Sequence, residues 1–126
     1  MNVYIGKDLW DPNYIGYTTL ASMTRPGPAQ TFVVIDQSRN TINDGALQFS
    51  MAGFDPYNPG ALAFVDVPAS FHSMGATLSF AEGRAEVQKW RDIRTVNAQL
   101  FDLSPNNVDV AWIQEHATRK LNNPTR

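Results

Sequence analysis

The 126-residue chain contains no cysteine, which excludes disulfides, thiolate zinc sites and cysteine nucleophiles together. Long apolar runs are also missing. The longest, Phe32–Ile35 and Ala61–Val65, are far shorter than the ~20 residues that a membrane helix requires. The N-terminus has neither the basic patch nor the apolar stretch of a signal peptide. We therefore expect a soluble chain without a membrane segment, and its location stays unassigned.

Positive charge is sparse as well. The net charge is −2, and no cluster of Lys and Arg is longer than a pair, so the chain has no basic stripe for nucleic acid. An anionic membrane surface would not attract it either. Glycine-rich phosphate loops, Gly-x-Ser-x-Gly elbows and His-Glu-x-x-His zinc motifs do not occur in the sequence. No enzyme class is indicated.

What the chain does have is a globular composition, with 43% hydrophobic and 17% charged residues. Seven Phe, four Tyr and three Trp suit a compact, sheet-rich core. We expect Trp10, Trp90 and Trp112 to pack in or near that core. At this length, one domain over residues 1–126 is the default.

The coarse pattern is irregular over residues 1–30 and strand-rich over residues 31–90. Gly, Pro, Asn and Asp dominate the first part, and apolar or alternating runs bounded by turn signals dominate the second. The strands predicted before the hairpin described next are Val3–Gly6, Thr31–Asp36, Ala46–Met51 and Ala61–Val67.

A hairpin is the clearest local prediction. Two β-prone stretches, Ala76–Ala81 and Arg84–Trp90, flank Glu82-Gly83, which favours a two-residue turn. In that register Phe80 lies opposite Ala85. Leu78 and Val87 then join them on one apolar face, and the polar residues occupy the other.

The C-terminal part favours a helix over residues 104–119. Ser104-Pro105 suits a helix start, and apolar residues recur at helical spacing after it. Asp109 and His116 lie near the two ends, where the helix dipole favours a negative and a positive charge respectively. We expect residues 122–126 to fray. The predicted fold class is α+β, an antiparallel sheet of about five strands with a C-terminal helix.

The segment His72–Gly83 resembles the His-x9-Asp-Gly signature of prepilin-like proteins, the pseudopilins of type II secretion and the type IV pilin-like proteins. Nine residues separate His72 from Glu82, and Glu82 stands where the signature has Asp. Gly75 and Trp90 are similar to the usual context of the motif. The upstream strand Thr31–Asp36 and, more weakly, the stretch 109–115 are also similar to such chains.

The resemblance implies a pilin-like head without the N-terminal anchor helix of the family, whose members are membrane-anchored and extracytoplasmic. It implies a non-enzymatic structural or interaction role, with a second copy or other pilin-like subunits as partners. The lost helix would leave one sheet face open, so we expect self-association through exposed apolar residues. The candidates for that surface are Val33, Ile35, Leu47 and Phe49.

Three alternatives stay open. One is a stand-alone binding module that pairs with itself through an exposed sheet edge left by the lost helix. Asp36, Asp44 and Asp66 are the candidates for a calcium site, because calcium prefers oxygen ligands, although we expect no cofactor. A small enzyme or ligand-binding protein reusing the fold would place its site near Asp36, Asp66 and His72. We do not expect His72 and Glu82 to act together, because an extended strand of ~3.3 Å per residue would hold them apart.

Overall fold

The computed structural model describes residues 1–6 and 11–121, and it is α+β, as predicted. Trp10 and residues 122–126, for which packing and fraying were predicted, lie outside the described residues. Within the described part, no helix has the length and apolar character needed to cross a bilayer. The regular elements are the strands β1 (Phe32–Ile35), β2 (Gly75–Phe80) and β3 (Ala85–Lys89), the helices α1 (Ile93–Val96) and α2 (Val108–Glu115), and 3-10 turns at Leu20–Ser22 and Pro59–Ala61.

The three strands form an antiparallel sheet in the order β1-β2-β3. Phe32 pairs with Phe80 and Ile35 with Leu78, and all four side chains are buried on one face. A bulge between Phe32 and Val34 turns Val34 to the opposite face, where its side chain is 52% exposed. The sheet therefore has one core face and one outer face.

The prediction of about five strands is wrong, because the described residues form only three. Leu47, Phe49 and Met51, which alternate along the predicted strand Ala46–Met51, are all buried, and Ala61–Val67 is largely buried too. The backbone of these stretches, however, forms no continuous ladder with a neighbouring strand in the described part of the chain. Leu47 N donates to Met1 O (2.6 Å) and Phe64 N to Asp102 O (2.8 Å). A ladder needs successive bonds to one neighbour, so only isolated bridges form here and at residues 2–6.

The predicted hairpin exists, but its two-residue turn and its register are wrong. Ser79 pairs with Ala85 and Thr77 with Val87, one residue away from the predicted pairing. Phe80 N donates to Arg84 O (2.7 Å) and Gly83 N to Phe80 O (2.9 Å), which closes a three-residue loop. Gly83 takes the left-handed position of that loop, with φ +106°, as expected after a type I turn. The apolar face proposed from the two-residue turn is thereby split, and Val87 lies on the outer face, 48% exposed.

The C-terminal helix is shorter than predicted. It begins after Asn107, whose side chain accepts hydrogen bonds from the N–H groups of Asp109 and Val110, and it ends at Glu115. Ser104 is not the cap, because Asn106 adopts a positive φ of 62°, which breaks the helical backbone between Ser104 and the start of α2. The Ser104 hydroxyl instead accepts a hydrogen bond from the side-chain amide nitrogen (Nδ2) of Asn107 at 2.9 Å. Helix α1, capped by Asp92, forms between β3 and α2, a stretch for which no element was predicted.

The main core lies between the inner sheet face, α2 and the irregular N-terminal third. Tyr4 and Tyr14 enter it beside Ile113 of α2 and Ala117, which follows the helix. The apolar surface proposed for self-association is wrong for Ile35, Leu47 and Phe49, since each is at most 5% exposed, while Val33 is partly buried. Helix α2 and the N-terminal residues cover the inner face.

Candidate functional site

The His72 end of the signature lies just before β2, next to the end of β1. Its Nε2 is 3.4 Å from Asp36 Oδ2, with the two side chains 53% and 42% exposed. The same Asp36 oxygen accepts from Thr77 N at 3.2 Å, and Asp36 N donates to Thr77 O at 3.1 Å. Asp36 therefore joins β1 to β2 and places a carboxylate beside the imidazole. A pair this exposed contributes about 0–1 kcal/mol to stability.

Gly75 is where the hairpin approaches the turn before it. A Cβ at this position would lie 2.5 Å from the carbonyl oxygen of Gln88 and 3.1 Å from that of His72. His72 N also donates to Gly75 O at 3.2 Å. The close backbone packing gives Gly75 a structural role in the signature.

Trp90 closes the base of the hairpin. Its ring is buried, its indole N–H donates to Ala69 O at 2.8 Å, and its backbone N–H donates to Met74 O at 3.0 Å. The ring also meets that of Trp112 edge-on, with 6.4 Å between centroids. Trp90 thus joins the end of β3 to α2 and to the chain before β2, and the expectation that both tryptophans pack in the core region is confirmed.

The other end of the signature is organised by Arg84, a residue that sequence reasoning placed only as a hairpin partner. Its guanidinium is 2.6 Å from Glu82 Oε1 and 3.3 Å from Glu86 Oε2, and it donates to Ala29 O at 3.1 Å. It also lies 4.2 Å above the Phe80 ring. The Glu82 carboxylate therefore has a local partner two residues further along the chain, and Arg84 also holds the tip against the N-terminal third.

The two ends of the signature do not meet. His72 precedes β2 and Glu82 follows it, so six extended residues separate them. At ~3.3 Å per residue this places the side chains on the order of 20 Å apart. A general base must reach within about 3 Å of its proton, so His72 and Glu82 cannot share a proton or an ion.

The three calcium candidates are not gathered into a site. Asp66 is buried and accepts from Gln48 N at 2.8 Å, and this burial raises the pKa of its carboxyl. Asp44 accepts from Ala46 N and contributes negative potential near Asp66 and the Met1 amino group. Asp36 bonds elsewhere, to Thr77 and His72. Within residues 1–6 and 11–121, no three His, Asp or Glu side chains come together as metal ligands. The proposed site at Asp36, Asp66 and His72 is likewise assembled only in part.

His116 does not have the cationic role predicted for it. It caps α2 and stacks on Trp112, with the ring centroids 4.0 Å apart, and the Phe80 ring meets it edge-on at 6.4 Å. Its Nδ1 is 2.8 Å from Trp112 O. Burial lowers the pKa of His116 below its usual value, although the nearby Glu115 and Glu86 oppose the shift. The ring therefore serves as neutral packing between helix and sheet.

A buried polar cluster at the start of α2 was missed. Asp109 is 1% exposed, and its carboxylate accepts from Arg91 N, Asp92 N and the Thr95 hydroxyl at 2.6–3.1 Å. Asn107 contacts the same hydroxyl. From the sequence, Asp109 was assigned only a favourable interaction with the helix dipole. Its hydrogen-bond donors lie in a different segment, around α1, so the helical pattern could not predict them.

An open cavity of about 630 Å³ also has no sequence signal. Asp36, Asp66 and His72 are not among its lining residues. Its walls come from three separate stretches of chain, and the polar lining residues include Asp11, Asn13, Ser50, Asn58 and Lys120.

When the chain is compared with protein-family models, with curated proteins and with solved structures, none of them matches it. The comparisons therefore assign no family, and the resemblance to prepilin-like proteins rests on the residues from His72 to Gly83 and their context.

Proposed function

We propose that this chain is a pilin-like structural or interaction domain without enzymatic activity. One observation carries the proposal: five residues of the signature and its context each have a local contact or backbone role at the hairpin or beside it. Gly75 permits a close backbone approach, Gly83 closes the loop, and Trp90 fixes the base. His72 and Glu82 each have a separate local partner.

The partners that this proposal implies are second copies of the chain or other pilin-like subunits. The outer sheet face supports partners of this kind, because Val34 and Val87 expose apolar side chains there and the sheet ends at an edge strand. The parent family is membrane-anchored and extracytoplasmic. By resemblance, the head would act outside the cytoplasm.

The alternative, a small enzyme or ligand-binding protein that reuses the fold, has one supporting observation. Asp36 and His72 do form a carboxylate–imidazole pair at 3.4 Å. The position of Asp66, buried against Gln48, does not support that site. The His72→Gln variant separates the two proposals. If the chain is a structural domain, the variant should bind the same protein partners as wild type. If the chain is an enzyme or ligand-binding protein with a site at Asp36 and His72, the variant should no longer bind the small molecule.

A chimera tests the pilin-like proposal directly. The anchor helix of a type IV pilin is fused before residue 1, and the tagged chimera is expressed in a host that assembles such pili. If the head is pilin-like, immunogold electron microscopy will detect the tag along the filaments. The matched control is an unrelated α+β domain of similar size on the same helix. Incorporation no better than that of the control would refute the proposal.

A further inference from the structure

Strand β3 forms one edge of the sheet, and its outward-facing backbone groups follow from the bonds at its two ends. Arg84 O accepts from Phe80 N, and Trp90 N donates to Met74 O, so these two residues point toward the chain of β2. Backbone directions alternate along a strand. The N–H and C=O groups of Ala85, Val87 and Lys89 therefore point away from the sheet.

No other strand in the described part of the chain covers this edge, since the sheet order ends at β3. Among these outward-pointing groups, Lys89 O accepts a long hydrogen bond of 3.5 Å from the side-chain amide of Gln88. Four of the five residues of β3 are exposed. An open edge of this kind is a template for strand addition.

We propose that β3 pairs antiparallel with β3 of a second copy of this chain, about a two-fold axis through Val87. Each Val87 then lies opposite Val87 of the partner subunit, and Ala85 lies opposite Lys89 of the partner subunit. About six backbone hydrogen bonds join the copies, two for each of the three pairs formed by Ala85, Val87 and Lys89. The result is a continuous six-stranded sheet with an isologous interface.

The charges of β3 favour this register over its neighbours. With the axis at Val87, Glu86 lies opposite Gln88 of the partner subunit and Lys89 opposite the small Ala85, so no like charges face each other. An axis at Lys89 would place two ammonium groups directly opposite, which is destabilising. An axis at Ala85 would run Val87 into the loop at Gly83, and the ladder would shorten. The edge lysine therefore blocks one wrong register and leaves the paired one open.

The outer face adds apolar contact to the backbone bonds. Val87 is 48% exposed and lies on the same face as Val34, which is 52% exposed. Pairing brings two Val87 side chains together at the axis, where β-branched cross-strand pairs are stabilising. The net charge of −2 per chain adds only weak repulsion between copies. This inference stands on strand geometry and does not depend on the pilin-like proposal.

Analytical ultracentrifugation of the whole chain tests the pairing. Wild type is expected to move from 14.0 kDa toward about twice that mass as its concentration rises from ~1 to ~500 µM. Val87→Glu and Val87→Lys should each stay monomeric, because each places like charges at the axis. An equimolar mixture of the two should recover the dimer mass. Val87→Thr keeps a β-branched side chain and should dimerise like wild type.

The rescue by mixing is specific to this register, since only a two-fold axis at Val87 pairs position 87 with itself. Thermal unfolding of each variant shows that it is folded, which is expected because the side chain is half exposed. Val87→Pro removes the outward N–H without touching the bonds to β2, and it should also be monomeric. A wild type that stays at 14.0 kDa throughout, a Val87→Glu dimer, or a mixture that stays monomeric would each overturn the proposal.

Discussion

Replacing Gly75 by alanine adds one methyl group at the tightest backbone approach of the signature. The new Cβ would lie 2.5 Å from the carbonyl oxygen of Gln88, which is closer than real Cβ atoms come to any such atom. Gln88 is held in the β2–β3 ladder by its pairing with Ala76, and the second close atom, His72 O, is also backbone. Neither can move without shifting the hairpin or the turn before it.

The expected cost follows from two opposing effects. Overpacking by a methyl group costs typically about 1–3 kcal/mol, because neighbouring backbone must shift. Alanine recovers about 0.5–1 kcal/mol by restricting the unfolded chain relative to glycine. We expect Gly75→Ala to lower the free energy of unfolding by about 1–2 kcal/mol. For a domain of this size, that lowers Tm by about 4–8 °C.

Urea unfolding followed by circular dichroism measures the change, provided that the slope with denaturant stays constant between variants. Gly27→Ala and Gly45→Ala are matched controls. Neither glycine has a positive φ, and a Cβ at either position would meet no atom within 4 Å. Both controls should match wild type or exceed it slightly. If Gly75→Ala is as stable as the controls, the close approach to Gln88 is wrong, and so is the structural role given to Gly75.

Three further predictions concern other residues. Asp109→Asn should lower the free energy of unfolding by about 2–3 kcal/mol in the same assay, because a charged acceptor of buried N–H and O–H groups is lost. An unchanged denaturation midpoint would contradict the hydrogen bonds assigned to Asp109. His116 has a folded-state pKa below its usual 6.5, so the unfolded chain binds the proton more tightly and stability should fall as pH drops below about 6.5. His116→Phe should flatten the change in Tm between about pH 7.5 and 5.5, and an equally steep profile would show that another group is responsible. Excess calcium or chelator should shift Tm by less than about 2 °C, because Asp36 and Asp66 bond to different segments; a larger rise with calcium would restore the calcium site.

Local alternation was a poor guide to backbone pairing. Leu47, Phe49 and Met51 alternate along the chain, and all three are buried because period-two burial depends only on an extended chain beside a core. Leu47 and Phe49 had been expected on an exposed surface. The same pattern wrongly predicted a strand. A strand needs a continuous neighbour, and which segment lies alongside is a property of the whole fold.

The hairpin shows the same division at the scale of one residue. Gly83 marked the place of the turn, and the need for positive φ was correct. The choice between a two-residue and a three-residue loop was not encoded locally. In the observed register Phe80 faces the core while Arg84 covers its ring and reaches Ala29, a partner 55 positions away in the chain. The three-residue loop, which the local pattern did not favour, is therefore found together with a long-range contact to the N-terminal third.

By itself, the sequence determined the α+β class, the turn glycine at position 83, the burial of Trp90 and the separation of His72 from Glu82, because each follows from local geometry or composition. Only the tertiary structure decided that Asp36 meets His72 and that Asp66 is buried away from both. It also decided that Asp109 collects its donors from the segment around α1. These contacts join residues far apart in the chain, and side-chain chemistry alone does not specify which distant segments become neighbours.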